Sequence, residues 1–205
     1  SLETSRTGNT RLGPRYLHVN GAQTAIWERP GLDPPIFLCH ATGFHARSWD
    51  AVIQRTGERR CIAMDMRGHG RSTKPKPPIP WRTFGADVAE VARQLNLSNA
   101  LAVGHSMGGH SVVLAAALAP AVFSRLLLLD PVILPEADYT GPITEPHFAR
   151  KRRNRWPSWQ DMLERFRSRP PFNRWDEQVL RDYCEYALLP APDGDGFLLA
   201  CPPEV

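Results

Sequence analysis

The sequence has no long apolar run, no paired cysteines and no strong charge of either sign. No stretch reaches the 18 apolar residues of a membrane-spanning helix, and the first ten residues are polar. The formal net charge is +4, too small by itself to indicate nucleic-acid binding. We therefore expect a cytoplasmic protein that binds neither membranes nor nucleic acid.

The four cysteines lack the spacing of a metal site or a redox pair. They are Cys39, Cys61, Cys184 and Cys201, and the first two lie inside apolar runs, where cysteine behaves as a small hydrophobic residue. We expect no metal and no cofactor.

Six short apolar runs predict strands at 15–19, 24–28, 35–40, 61–65, 100–105 and 125–130. Asn20-Gly21 between the first two is a hairpin signal, and the later four have the continuous apolar character of a parallel sheet. Helical patterns at 81–97 and 106–119 alternate with these strands. The fold class is therefore α/β, with a mostly parallel, helix-flanked sheet.

After Asp130 the pattern changes to proline-punctuated sequence in which we predict no strand before residue 158. Two helices follow, at 158–168 and 176–189, with Ser158 and Asp176 as their N-caps. The basic run 150–153 has two interpretations, a solvated surface or an attraction for an anionic substrate or partner.

Gly104-His105-Ser106-Met107-Gly108 joins a strand directly to a helix. A serine in such a tight turn projects into a cleft, and the helix that follows presents free N–H groups to developing negative charge. The crowded turn needs small residues two positions before and after the serine, which accounts for both glycines. Ser106 is the predicted nucleophile of this nucleophile elbow.

With this elbow, "FLCHATGFHARSW" (37–49) and "DMRGHGRS" (65–72), the chain resembles the α/β-hydrolase family over residues 14–135. The resemblance implies an oxyanion hole from the backbone N–H groups of Thr42 and Met107. It also implies a core at 1–135, a helical cap at 136–190 and the start of a return to the core at 191–205. Relatives that are haloalkane dehalogenases or epoxide hydrolases carry an aspartate nucleophile, whereas serine implies acyl chemistry.

The family's chain order of nucleophile, acid and histidine is not completed here. His110 lies one helical turn after Ser106, and His147 lies in the expected cap, so neither suits the base. Asp130 at the end of the sixth strand is an alternative for the acid. The resemblance and the exposed edge of strand 125–130 together imply that C-terminal strands are missing. We expect a second chain or a C-terminal fragment to complete the fold.

The resulting hypothesis is a serine hydrolase that cleaves a small carboxylic ester or related acyl substrate through an acyl-enzyme on Ser106. Two alternatives stay open. One is a lactone or C–C bond hydrolase, and the other is a binding or scaffold protein that keeps the elbow without a complete triad.

Overall fold

The computed structural model describes residues 13–136 and 151–205. Its strands are β1 (Arg15–Val19), β2 (Ala22–Arg29), β3 (Leu32–Cys39), β4 (Arg59–Met64), β5 (Ala100–His105), β6 (Phe123–Leu129), β7 (Arg155–Trp156), β8 (Leu188–Pro190) and β9 (Phe197–Leu199). The α-helices are α1 (Asp50–Ile53), α2 (Trp81–Gln94), α3 (Met107–Leu118), α4 (Trp159–Arg167) and α5 (Glu177–Tyr186), with short 3-10 helices at Ala46–Trp49 and Phe172–Arg174.

The first six strands form one sheet in the order β1-β2-β4-β3-β5-β6. Strands β4, β3, β5 and β6 are mutually parallel, while β1 pairs antiparallel with β2 and β2 with β4. Asn20 and Gly21 between β1 and β2 have positive φ angles of 46° and 78°, as a tight hairpin requires. The predicted hairpin and the mostly parallel, helix-flanked sheet are both confirmed.

Helices cover the sheet because their apolar residues recur at helical spacing. Phe84, Val88 and Val91 of α2 are buried in the main core, together with Val112 and Ala115 of α3. A smaller apolar cluster, which includes Trp49, lies against residues of β3, β4 and β5. The carboxyl ends of the central parallel strands are thereby held at one edge of the sheet, where ligands bind in folds of this class.

The described C-terminal residues 151–205 contain both predicted helices. The Ser158 hydroxyl accepts a hydrogen bond from Asp161 N, and the Asp176 side chain accepts from Gln178 N and Val179 N, so both predicted N-caps are confirmed. Trp156, Met162, Leu163, Leu180 and Cys184 form a separate apolar core.

The prediction that no strand precedes residue 158 is wrong, because β7 lies at Arg155–Trp156. It pairs with β9, and β9 pairs with β8, to form a small antiparallel sheet. Strands of two or three residues are too short to show an alternating pattern, so their sequence carries no detectable strand signal.

Candidate active site

Ser106 occupies the single position between the end of β5 and the start of α3. Its backbone has φ 53° and ψ −114°, in the positive-φ region that a residue with a side chain seldom adopts. The conformation is held by its neighbours: Ser106 N donates to Leu129 O at 3.0 Å, and Ser106 O accepts from Gly109 N at 2.9 Å. Backbone strain that the surrounding structure maintains in this way is concentrated at functional sites.

The two glycines of the elbow are required by close backbone packing. A Cβ atom at Gly104 would lie 2.4 Å from Gly108 O, and a Cβ atom at Gly108 would lie 2.2 Å from Cys39 O. Strand β3 ends beside the elbow, with Cys39 opposite Gly104 in the parallel register. Only residues without a Cβ let the strand, the turn and the helix meet at this distance, which is the spacing requirement inferred from sequence.

Thr42 and Met107 lie side by side, although 65 positions separate them. The Thr42 hydroxyl donates to Met107 Sδ at 3.5 Å, and the turn that carries Thr42 is closed by Phe44 N donating to Ala41 O at 3.0 Å. Within residues 13–136 and 151–205, neither the Thr42 N–H nor the Met107 N–H has a hydrogen-bond acceptor. Met107 is also the first residue of α3, where backbone donors are unsatisfied and the helix dipole is positive.

The histidines in the two loops beside the elbow are held in structural roles. His40 donates from Nδ1 to Ala41 O at 2.8 Å and accepts at Nε2 from Met66 N at 2.9 Å. Burial lowers the pKa of His40 to about 3 and that of His69 to about 4, so both rings are neutral at physiological pH. His69 is fully buried and bonds Arg67 O through Nδ1, consistent with a loop residue.

Loop 65–72 is organised around the carboxylate of Asp65. Its oxygens accept from Ala46 N at 2.8 Å, Arg71 N at 2.9 Å and Trp27 Nε1 at 3.2 Å. The first of these bonds also fixes the segment that follows the loop of Thr42. Asp65 is therefore a structural anchor for two loops.

Among the residues that the structure describes, no histidine nitrogen is hydrogen-bonded to the Ser106 hydroxyl. His110 packs edge-on against Trp81, with ring centroids 5.0 Å apart. The rings of His105 and Phe44 pack edge-on, with centroids 5.8 Å apart. Burial lowers the pKa of His105, and the nearby Asp130 charge only partly offsets this effect. Asp130 itself is exposed at the end of β6, with φ 43°. His147 lies outside the described residues.

A cavity of about 280 Å³ lies beside the elbow. Its lining includes Phe44 of the Thr42 loop, His105 of β5, and Trp175 and Val179 of the C-terminal residues, together with His40, Ser48 and Trp49. A larger cavity of about 890 Å³ is lined by residues of α2 and α3, including Trp81 and His110, and by no residue of the Thr42 loop. The smaller cavity is the better candidate for a substrate group because it is lined by His105, the residue before Ser106, and by Phe44, two residues after Thr42.

The described residues offer no cluster of three or more histidine, cysteine or acidic side chains that could hold a metal ion. All four cysteines are free and buried, and burial raises the pKa of Cys39, Cys184 and Cys201. In the same residues, no helix is both long and apolar enough to span a bilayer.

A family model described as "Alpha/beta hydrolase family" matches residues 36–204. This chain belongs to the alpha/beta hydrolase family. The match includes the elbow, the Thr42 loop and nearly all of the described C-terminal residues.

Two curated alpha/beta hydrolase relatives carry names of ester-cleaving enzymes. Esterase Rv0045c of Mycobacterium tuberculosis is 32% identical over 166 residues, which cover 74% of this chain and 52% of the esterase. The sn-1-specific diacylglycerol lipase ABHD11 of Xenopus laevis is 31% identical over 128 residues, 60% of this chain and 39% of the lipase. The chain therefore spans between about two fifths and half the length of these relatives.

Solved alpha/beta hydrolase structures agree with the fold over most of the chain. The crystal structure of the same M. tuberculosis esterase has a TM-score of 0.68 and 25% identity, covering 95% of this chain and 65% of the esterase. E-2-(acetamidomethylene)succinate hydrolase has a TM-score of 0.75 at 23% identity, covering 93% of this chain and 69% of that hydrolase. The second likeness supports the fold alone.

Sequence reasoning missed the contacts that the Thr42 loop makes with the C-terminal residues. His45 and Tyr183 are hydrogen-bonded although they lie 138 positions apart, and Arg152 packs against Gly43. Arg152 belongs to the basic run at 150–153, and Gly43 belongs to the loop after β3. No pattern within either segment indicates that the two meet.

Proposed function

We propose that this chain carries the nucleophile and oxyanion hole of a serine hydrolase that cleaves a small carboxylic ester. The observation that carries the proposal is Ser106 at φ 53°, placed between a parallel strand and a helix. The free amides of Thr42 and Met107 beside it support a hole for negative charge. The names of the esterase and lipase relatives support an ester substrate.

In the proposed reaction, Ser106 Oγ attacks the ester carbonyl carbon and its proton passes to a general base. The carbonyl oxygen becomes an oxyanion and accepts hydrogen bonds from Thr42 N–H and Met107 N–H. The tetrahedral intermediate collapses, its C–O bond breaks, and the alcohol leaves with the proton from the base. Water then adds to the acyl-enzyme by the same steps, which releases the acid and restores Ser106.

The cavity beside Phe44 and Trp175 would hold a small, largely apolar part of the ester. Its volume of about 280 Å³ is near the lower limit of small-molecule sites. We assign selectivity to Trp175 of the expected cap, together with Phe44 of the Thr42 loop. We also propose that the base, and the acid that orients it, come from a further segment or a second chain that joins the core near β6.

Replacement of Ser106 by alanine in the active enzyme tests the proposal. Loss of the nucleophile should lower kcat for short p-nitrophenyl esters by several orders of magnitude, while the circular dichroism spectrum is unchanged. Ser98→Ala, an exposed serine before β5, is the matched control and should keep full activity. More than a tenth of the activity in Ser106→Ala would contradict the mechanism. An unreactive parent protein would instead favour the scaffold alternative.

A further inference from the structure

The loop that carries Thr42 is hydrogen-bonded to helix α5 through the contacting pair His45 and Tyr183. His45 donates a hydrogen bond from Nε2 to the carbonyl oxygen of Tyr183 at 2.8 Å. The Tyr183 hydroxyl in turn donates to Gly43 O at 3.3 Å, a long bond. The two rings are stacked, with centroids 5.6 Å apart and planes 18° from parallel. One helical residue therefore contacts the loop at both Gly43 and His45.

Both side chains are uncharged donors under all ordinary conditions. Burial lowers the pKa of His45 to about 3, so the ring is neutral, and its proton lies on Nε2 because Tyr183 O can only accept. Burial raises the pKa of the Tyr183 phenol to about 12. Neither bond should change between pH 6 and 9.

Hydrogen bonds on both sides of Gly43 hold the rest of the loop. Phe44 N closes the turn onto Ala41 O, and Ala46 N is held by the Asp65 carboxylate at 2.8 Å. Between these anchors Gly43 has φ 82°, and Arg152 packs against it so closely that a Cβ atom would lie 2.8 Å from the guanidinium. Gly43 lacks the side-chain restriction that would hold its backbone in one conformation, so external contacts must supply it.

We propose that His45 and Tyr183 are positioning residues for the oxyanion hole, holding the loop so that the Thr42 N–H points at the developing oxyanion. This inference rests on the proposed function of Thr42. A donor contributes fully only when it is already aligned with the transition state. The pair makes that alignment depend on the docking of α5. Phe44 also packs against Tyr183, with ring centroids 5.2 Å apart, and it lines the candidate substrate cavity.

Two conservative variants of the active enzyme test the pair. Tyr183→Phe removes the hydroxyl bond to Gly43 and keeps the ring, and His45→Phe removes the N–H donor and keeps a ring in the stack. We expect each to lower kcat for an activated ester by about five- to tenfold, the size of one neutral hydrogen bond, with KM within about twofold. Tyr16→Phe is the matched control, since Tyr16 is 45% exposed on β1.

A trifluoromethyl ketone separates positioning from simple packing. It forms a hemiketal oxyanion on the nucleophile, so its Ki should rise in each variant by the same factor as kcat/KM falls, equally at pH 6 and pH 8. Unchanged kcat and Ki together with a lower Tm would overturn the proposal.

Amide hydrogen exchange distinguishes failure of this inference from failure of the proposed function. If the parent enzyme hydrolyses no ester, the proposed function is wrong, and the loop is then followed directly. Faster exchange at the Phe44 N–H, which donates to Ala41 O, in Tyr183→Phe, with Ala46 unchanged, supports the positioning role. Unchanged exchange at Phe44 overturns it.

Discussion

At the residue scale, the chemistry of the candidate site depends on backbone groups as much as on side chains. In the proposed mechanism Ser106 contributes its hydroxyl, but Thr42 and Met107 contribute amides that any residue except proline would supply. Gly104 and Gly108 contribute the absence of a side chain, because a Cβ at Gly108 would lie 2.2 Å from Cys39 O. These requirements are strict and local, so five consecutive residues were enough to predict the elbow.

Thr42→Pro should remove one oxyanion donor. The N–H is lost, and one such donor stabilises the transition state by about 3 kcal/mol, or roughly 10²–10³ in kcat. Steady-state kinetics on a short activated ester measures the loss. Thr42→Ala, which removes only the hydroxyl contact with Met107 Sδ, is the control and should stay within about threefold of the parent. A folded, fully active Thr42→Pro enzyme would place the hole elsewhere in the loop.

Gly108→Ala should destabilise the whole fold, since the atoms it would meet belong to the backbone of β3 and cannot move aside. We expect a loss of at least about 3 kcal/mol in the free energy of unfolding, as for severe overpacking. Urea denaturation measures it. Gly21→Ala, where nothing lies within 4 Å of the new Cβ, is the control and should cost only the strain of its φ of 78°. Equal stabilities would contradict the packing account.

At the element scale, the central strands and longer helices were predictable and the small second sheet was not. Phe84, Val88 and Val91 show the helical period of α2, and their burial follows from it. Arg155 and Trp156 show no period, since β7 is defined by its pairing with Leu198 and Phe197 of β9, more than 40 positions away. The contact of Tyr183 with His45 was hidden for the same reason, because long-range contacts leave no local pattern.

The edge strand β6 carries an exposed apolar surface. Within the described residues it pairs only with β5, and Leu127 and Leu129 are 49% and 41% exposed. An unpaired apolar edge promotes intermolecular strand pairing. We expect the protein of residues 1–205 to self-associate and Leu127→Lys to shift it toward monomer, as followed by light scattering.

Leu118→Lys is the matched control for the edge. Leu118 is 57% exposed, but it lies at the end of helix α3, away from any strand edge. The Leu118→Lys substitution should leave self-association nearly unchanged. A protein that is monomeric without substitution, or one in which both variants act equally, would contradict the role of β6.

At the scale of the whole molecule, three buried histidines connect stability to pH. Burial lowers the pKa of His40 and His45 to about 3 and that of His69 to about 4. Unfolded histidine has a pKa near 6.5, so between about pH 4 and 6.5 the unfolded chain binds more protons than the folded one. Stability therefore rises with pH across this window and is lost as the solution is acidified.

The free energy of unfolding should fall by up to about 4 kcal/mol per pH unit below pH 6, from three histidines at about 1.4 kcal/mol each. Urea denaturation at pH 7, 6 and 5 measures the slope. His69→Gln should reduce the slope by about a third. A stability that is constant from pH 7 to 5 would show that these rings are not held neutral.

The proposed mechanism depends most on Ser106 being an activated nucleophile. Fluorophosphonate labelling of the active protein, followed by peptide mass spectrometry, tests this directly, because only an activated serine hydroxyl displaces fluoride from the probe. We predict one covalent phosphonate on the peptide that contains Ser106, and none in Ser106→Ala. An unlabelled protein, or a label on another residue, would contradict the central claim.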